Sequence, residues 1–139
     1  MDPEEDEEPL GGNSGAGVVR VGNTVRRAIT EASPAVPALL RHLEDAGFEH
    51  APRLLGVDAK GREILTYHPG QSAWHLGPSF WSAERCTRLG ALVRELHDVM
   101  ASFVVPAHPH WSGWLADPLS GSQIIHNDLG PWNLVHRPD

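Results

Sequence analysis

Cysteine and lysine are nearly missing from this 139-residue chain: Cys86 and Lys60 are the single examples of each. A lone cysteine excludes an intramolecular disulfide and fits a cytoplasmic location. Cys86 falls in a stretch of helical spacing, where an inert packing role is expected. No apolar run approaches the ~20 residues needed to cross a bilayer, so no membrane contact is expected. The acidic N-terminal residues do not have the character of a secretory or transit signal. Basic clusters are absent too, and nucleic acid is not an expected partner. The net charge of −7 is mostly local, because six of the 18 acidic residues lie between Asp2 and Glu8. The rest of the chain is close to neutral. Apolar residues at 40% and charged residues at 21% are ordinary for a globular protein, and the length suits one domain with a real core.

What is present begins with an acidic and glycine-rich tail, residues 1–17, expected to be disordered. Val18–Val21, Gly22-Asn23 and Thr24–Arg27 read as a hairpin with a two-residue turn. A helix follows. Ser33 is the expected N-cap, Pro34 occupies the first helical position, and Val36, Leu39, Leu40 and Leu43 share a face. Pro37 is tolerable in the first turn, and Gly47 supplies the stop. Arg53–Asp58 and Arg62–Tyr67 read as strands joined at Ala59-Lys60-Gly61, with His68-Pro69-Gly70 ending the second. The order strand, strand, helix, strand, strand predicts an antiparallel sheet with one helix packed on it.

The second half is helical in character. From Ser79 or Ser82 to Met100, Leu89, Leu92, Val93, Leu96 and Val99 form an apolar stripe at helical spacing. Phe103 to Ser122, rich in Pro, His, Trp, Ser and Gly, reads as loop with at most one helical turn. His108 and His110 form a potential ligand pair, but no further ligand stands at zinc-like spacing. Trp74, Trp81, Trp111, Trp114 and Trp132 read as packing residues, with an aromatic cage for a quaternary ammonium as the alternative. His97 on the long helix is expected to be a buried bracing residue.

The densest chemistry lies at Ile125-His126-Asn127-Asp128-Leu129-Gly130-Pro131-Trp132-Asn133-Leu134-Val135. His-x-Asp followed by Asn five residues on, between two short apolar strands, is the pattern phosphoryl transfer uses. A carboxylate receives the hydroxyl proton, and an amide oxygen reaches magnesium. The plainer reading is that Asp128 and Asn133 cap a turn, as both residue types do for local reasons.

This motif, with the element order before it, resembles the aminoglycoside phosphotransferase family, which includes choline kinases and has a protein-kinase-like fold. The resemblance spans roughly residues 17–139. It implies an α+β fold: residues 18–70 as a small antiparallel-sheet N-lobe with one helix, and 71–139 as part of a mainly helical C-lobe. That second part would hold a long helix at about 80–100 and the catalytic loop at 125–135. The implied activity is ATP-dependent transfer of a γ-phosphoryl group to a hydroxyl of an aminoglycoside, amino alcohol or sugar. Asp128 is then the implied base, His126 the brace of the loop, and Asn133 a ligand of Mg²⁺. Thr66, Tyr67 and His68 are the implied hinge for the adenine of ATP or another nucleoside triphosphate. Arg26 or Arg27 stands where such enzymes place a phosphate-binding lysine. The second acidic metal ligand has no counterpart before Asp139, so the chain is expected to be incomplete as an enzyme. The alternatives are a non-catalytic, pseudokinase-like fragment that at most binds nucleotide, or an interaction module. Self-association through an exposed apolar surface is expected.

Overall fold

Short apolar strands separated by turn residues account for the first half of the chain. The computed structural model describes residues 6–10, 17–29, 35–107, 124–126 and 128–138. Strand β1 is Glu8–Pro9, β2 is Val19–Val21 and β3 is Thr24–Ala28. Gly22, at φ +57°, takes the left-handed conformation that the tight turn between β2 and β3 needs. Helix α1 covers Ala35–Asp45 and leads to β4, Leu54–Val57, and β5, Arg62–Thr66. These five strands form one antiparallel sheet in the order β1-β2-β3-β5-β4. Among the described residues the architecture is a mixed α+β one, with an antiparallel sheet and two α-helices.

Alternation along β5 sets the inner face. Glu63 and Leu65 are buried, while Arg62, Ile64 and Thr66 are half-buried. Register places Val25 opposite Leu65 and Arg27 opposite Glu63, so these four share a face. Leu40, Leu43 and Phe48 are also buried, and each supplies on the order of 1.5–3 kcal/mol of transfer free energy. The end of α1 shows why Gly47 is needed. Gly47, at φ +76°, donates its N–H to the Glu44 carbonyl at 2.9 Å, and Phe48 donates to Leu43 at 2.9 Å. That pair of bonds is a Schellman motif, and it brings Phe48 back beside Leu43. Ser33 and Pro34, the expected start of this helix, lie outside the described residues, as do His108, His110, Trp111 and Trp114.

Part of the expected tail is paired. Glu8 and Pro9 lie antiparallel to Arg20 and Val19. Glu7 accepts from Lys60, in the turn between β4 and β5, at 2.7 Å and from Arg62 on β5 at 2.8 Å. Composition alone hides this, because the partners lie more than fifty residues away in sequence.

The chain divides into two compact units. The first is Met1–His68 with Val105–Trp111, and the second is Pro69–Val104 with Ser112–Asp139. In the second unit, β6, Gln71–Ser72, pairs antiparallel with β7, Val135–His136. Two 3-10 turns, Ala73–Leu76 and Pro78–Phe80, lead to helix α2, Ala83–Met100. Ser82 caps α2 by accepting from the Arg85 N–H at 3.3 Å. The stripe Leu89, Leu92, Val93, Leu96 and Val99 is half-buried, and only Met100 of this helix is buried. Its expected role as core is therefore only partly met. No helix among the described residues is long and apolar enough to cross a membrane.

Candidate functional site

Two groups of sequence-selected residues occupy different units. His126, Asp128 and Asn133 belong to the second. There β6 and β7 form a short ribbon, extended by the Ala73 N–H donating to the Leu134 carbonyl at 2.9 Å. Gly130-Pro131 then starts the 3-10 turn Pro131–Asn133, with proline at its first position, where its missing N–H costs nothing.

The turn closes on Asp128. The Asn133 side-chain amide donates to the Asp128 carbonyl at 2.8 Å and to its carboxylate Oδ2 at 3.1 Å. The Trp132 indole N–H donates to the other oxygen, Oδ1, at 3.2 Å. Both carboxylate oxygens thus accept from within the loop. The Asp128 N–H itself donates to the His126 carbonyl at 2.7 Å, and the residue at 126 is exposed. Gly130 makes the closure sterically feasible. A Cβ there would stand 2.2 Å from the Trp132 ring. The Trp132 ring meets Trp74 edge to face, with centroids 5.9 Å apart. Trp74 is 60% and Trp132 53% exposed, so the pair stands at the surface rather than in a core.

Arg26, Arg27, Thr66, Tyr67 and His68 belong to the first unit. Arg26 and Arg27 lie on opposite faces of β3. Arg27 holds Glu63 through Nε at 3.1 Å and Nη2 at 2.6 Å. Arg26 approaches Asp58 at 3.6 Å and also bonds the Thr24 hydroxyl. The N–H groups of Thr66 and Tyr67 are used inside the sheet, donating to Arg53 at 3.0 Å and to Asn23 at 3.1 Å. The Arg20 guanidinium lies 4.2 Å over the Tyr67 ring.

Sequence reading missed an ionic network around Arg26. Asp58, Arg62, Glu7 and Lys60 join it through bonds of 2.7–2.9 Å. The Arg62 side chain, then Lys60, holds the Glu7 carboxyl down at about 2, from an ordinary 4.5. Asp58 is lowered as well, first by the Arg62 backbone N–H, and Arg62 is raised by the two carboxylates. A cleft of 630 Å³ opens beside the network, lined by Asp6, Glu8, Arg20, Asn23, Thr24 and Arg26 among others. Period-two alternation could have paired Arg27 with Glu63, but only once the register was known. Among the described residues, no three His, Cys, Asp or Glu side chains gather as a metal site.

No family model matches the chain. Among curated proteins it is similar to the trifolitoxin immunity protein of Rhizobium leguminosarum bv. trifolii, 40% identical over 136 residues. That alignment covers 95% of this chain and 51% of the relative, so the chain spans about half the length of the curated protein it matches. No solved structure matches. These findings correct the aminoglycoside phosphotransferase resemblance. The similarity runs to an immunity protein, and no kinase family or kinase-like structure appears beside it. The inferred phosphoryl transfer falls with it, and the ATP-binding and magnesium readings that rested on it have no support. The physical reason is that Asp, Gly, Pro and Asn at this spacing also serve local turn chemistry, which the bonds among Asp128, Trp132 and Asn133 exemplify.

Proposed function

We propose that this chain serves in immunity to a toxin, and that it holds the toxin rather than transforming it. The observation carrying this reading is the 40% identity over 136 residues to the trifolitoxin immunity protein. The character of the second unit's surface supports holding. Trp74 and Trp132 are exposed, and Leu129 and Val135 beside them in the loop and ribbon are exposed too. Large aromatic side chains fixed in advance are what binding surfaces use as anchors, because little rotamer freedom remains to be lost. Here the Trp132 indole is fixed by Asp128 and by its seat on Gly130. On this reading Asp128 and Asn133 shape the loop that presents Trp132.

For the first unit we propose a protein-kinase-like small-lobe arrangement. The strand order β1-β2-β3-β5-β4, with α1 between β3 and β4, supports it. A cytoplasmic location is proposed with it, supported by the single cysteine.

The test is expression of the chain in a toxin-sensitive strain. Expression should raise the toxin concentration that stops growth several-fold, and toxin should quench the tryptophan emission of the purified chain. The W74A/W132A variant should lose both effects. A folded, well-expressed chain that gives no protection refutes the immunity reading. Protection that survives W74A/W132A refutes the holding surface alone.

A further inference from the structure

The sequence assigns Trp74 and Trp132 to packing, with an aromatic cage as the alternative. The structure leaves both rings at the surface, at 60% and 53% exposure. They are nevertheless fixed in place. Their planes meet at 64° with centroids 5.9 Å apart, and the six-membered ring of Trp132 is backed by Gly130. The two indoles thus make two walls of an open corner.

Charge distinguishes this corner from a plain apolar patch. Asp128 accepts from the Trp132 indole N–H at 3.2 Å and from the Asn133 amide at 3.1 Å. Both donors are neutral, so these bonds leave the negative charge of the carboxylate uncompensated. Among the described residues no cationic side chain pairs with Asp128. A carboxylate on an indole N–H also polarises the ring and deepens the negative potential over its faces. Elsewhere the chain supplies cations to its own aromatic faces. Arg20 lies 4.2 Å over Tyr67, and Arg85 lies 4.3 Å over Phe80. Among the described residues no such cation stands over Trp74 or Trp132.

We propose that this corner, as part of the surface read above as holding the toxin, takes a cationic group of the held molecule, an alkylammonium or a guanidinium. Tryptophan attracts a cation over its face more strongly than tyrosine or phenylalanine does. Such a cation also answers the charge of Asp128. The apolar stems that carry these groups suit Leu129 and Val135, which are exposed in the same loop and ribbon. A neutral group of the same shape gains the burial without the charge.

Titration of the full isotope-labelled chain tests this, read from the indole N–H resonances of Trp74 and Trp132, which W74F and W132F assign. The probes are N-acetyl-lysine amide, N-acetyl-arginine amide and the neutral N-acetyl-norleucine amide. The lysine or the arginine amide should shift both resonances saturably at millimolar concentration, and comparing the two separates ammonium from guanidinium. The norleucine amide should bind about fivefold more weakly or worse. W74A removes one wall and should weaken cation binding about two- to fivefold, read at Trp132. D128N keeps the side-chain shape, removes the charge, and should narrow the gap between the cationic and neutral probes. If D128N opens the loop, W74A decides the matter alone. No shift with either cationic amide up to its solubility limit overturns the proposal. So does norleucine amide binding as tightly as the cations, or cation binding that W74A leaves unchanged. The titration uses no toxin, so its failure is distinct from a failure to protect cells, which would refute the immunity reading itself.

Discussion

Arg27 and Glu63 offer the sharpest test of what holds the first unit together. Glu63 is 3% exposed and has its carboxylate on Arg27, at 3.1 Å from Nε and 2.6 Å from Nη2. The R27M substitution keeps most of the side-chain stem and removes the guanidinium. It leaves the Glu63 carboxylate in place without that partner. Stripping one member from a fully buried pair costs about 3–5 kcal/mol. The Arg27 side chain is 41% exposed, so water reaches this pair from one side. About 2 kcal/mol is therefore the expected loss, after discounting for that screening. With a urea slope of roughly 2 kcal/mol per molar, the unfolding midpoint should fall by about 1 M. Far-UV circular dichroism on a urea series measures it. The double variant R27M/E63L gives the reasoning its second arm. Val25 and Leu65 lie beside the pair on the same face, so two apolar side chains there extend an apolar surface. The double variant should return to within about 1 kcal/mol of wild type. An R27M loss below about 0.5 kcal/mol, or a double variant less stable than R27M, would refute the claim that a stranded buried carboxylate dominates here.

The Glu7 network predicts a pH signature. Its folded value, about 2, lies below the ordinary 4.5, so its contribution to stability is present above 4.5 and is lost as pH falls through 2. Urea midpoints of wild type and E7Q should differ by a constant amount near neutrality and converge between those two values; a gap that persists unchanged in acid would sink the assignment. In the second unit, G130A puts a Cβ 2.2 Å from the Trp132 ring and should drive the indole off its seat. The Trp132–Asp128 bond, worth a net ~0.5–1.5 kcal/mol, and the coupling to Trp74 should go with it. Near-UV circular dichroism should lose its tryptophan couplet, and a spectrum equal to wild type would show that the ring does not rest there.

The hairpins β2-β3 and β4-β5 and both helices were legible in the sequence because their signals are local. Gly22-Asn23 fixes a tight turn, Gly47 stops α1 through its positive φ, and Ser82 opens α2 with a side-chain cap. The expected hairpin around the motif, by contrast, was not found: residues 124–126 are not a strand, and Val135–His136 pairs with Gln71–Ser72. The candidate site was legible as a cluster and misread as a family marker. His126, Asp128 and Asn133 stand at a spacing that suits both a phosphotransferase loop and a self-closed turn. Spacing does not say which donor each oxygen of Asp128 accepts from. The indole of Trp132 and the amide of Asn133 both turn inward to it.

By itself, then, the sequence determined those elements whose hydrogen bonds close within a few residues. Tertiary structure alone decided the partners separated by long stretches of chain. Glu7 meets Lys60 and Arg62 at the surface, Arg27 meets Glu63 through strand register, and Gln71-Ser72 meets Val135-His136 across most of the second unit. Such contacts depend on which surfaces loop closure and apolar burial bring together, and a charge or a strand does not carry its distant partner's address in its neighbours.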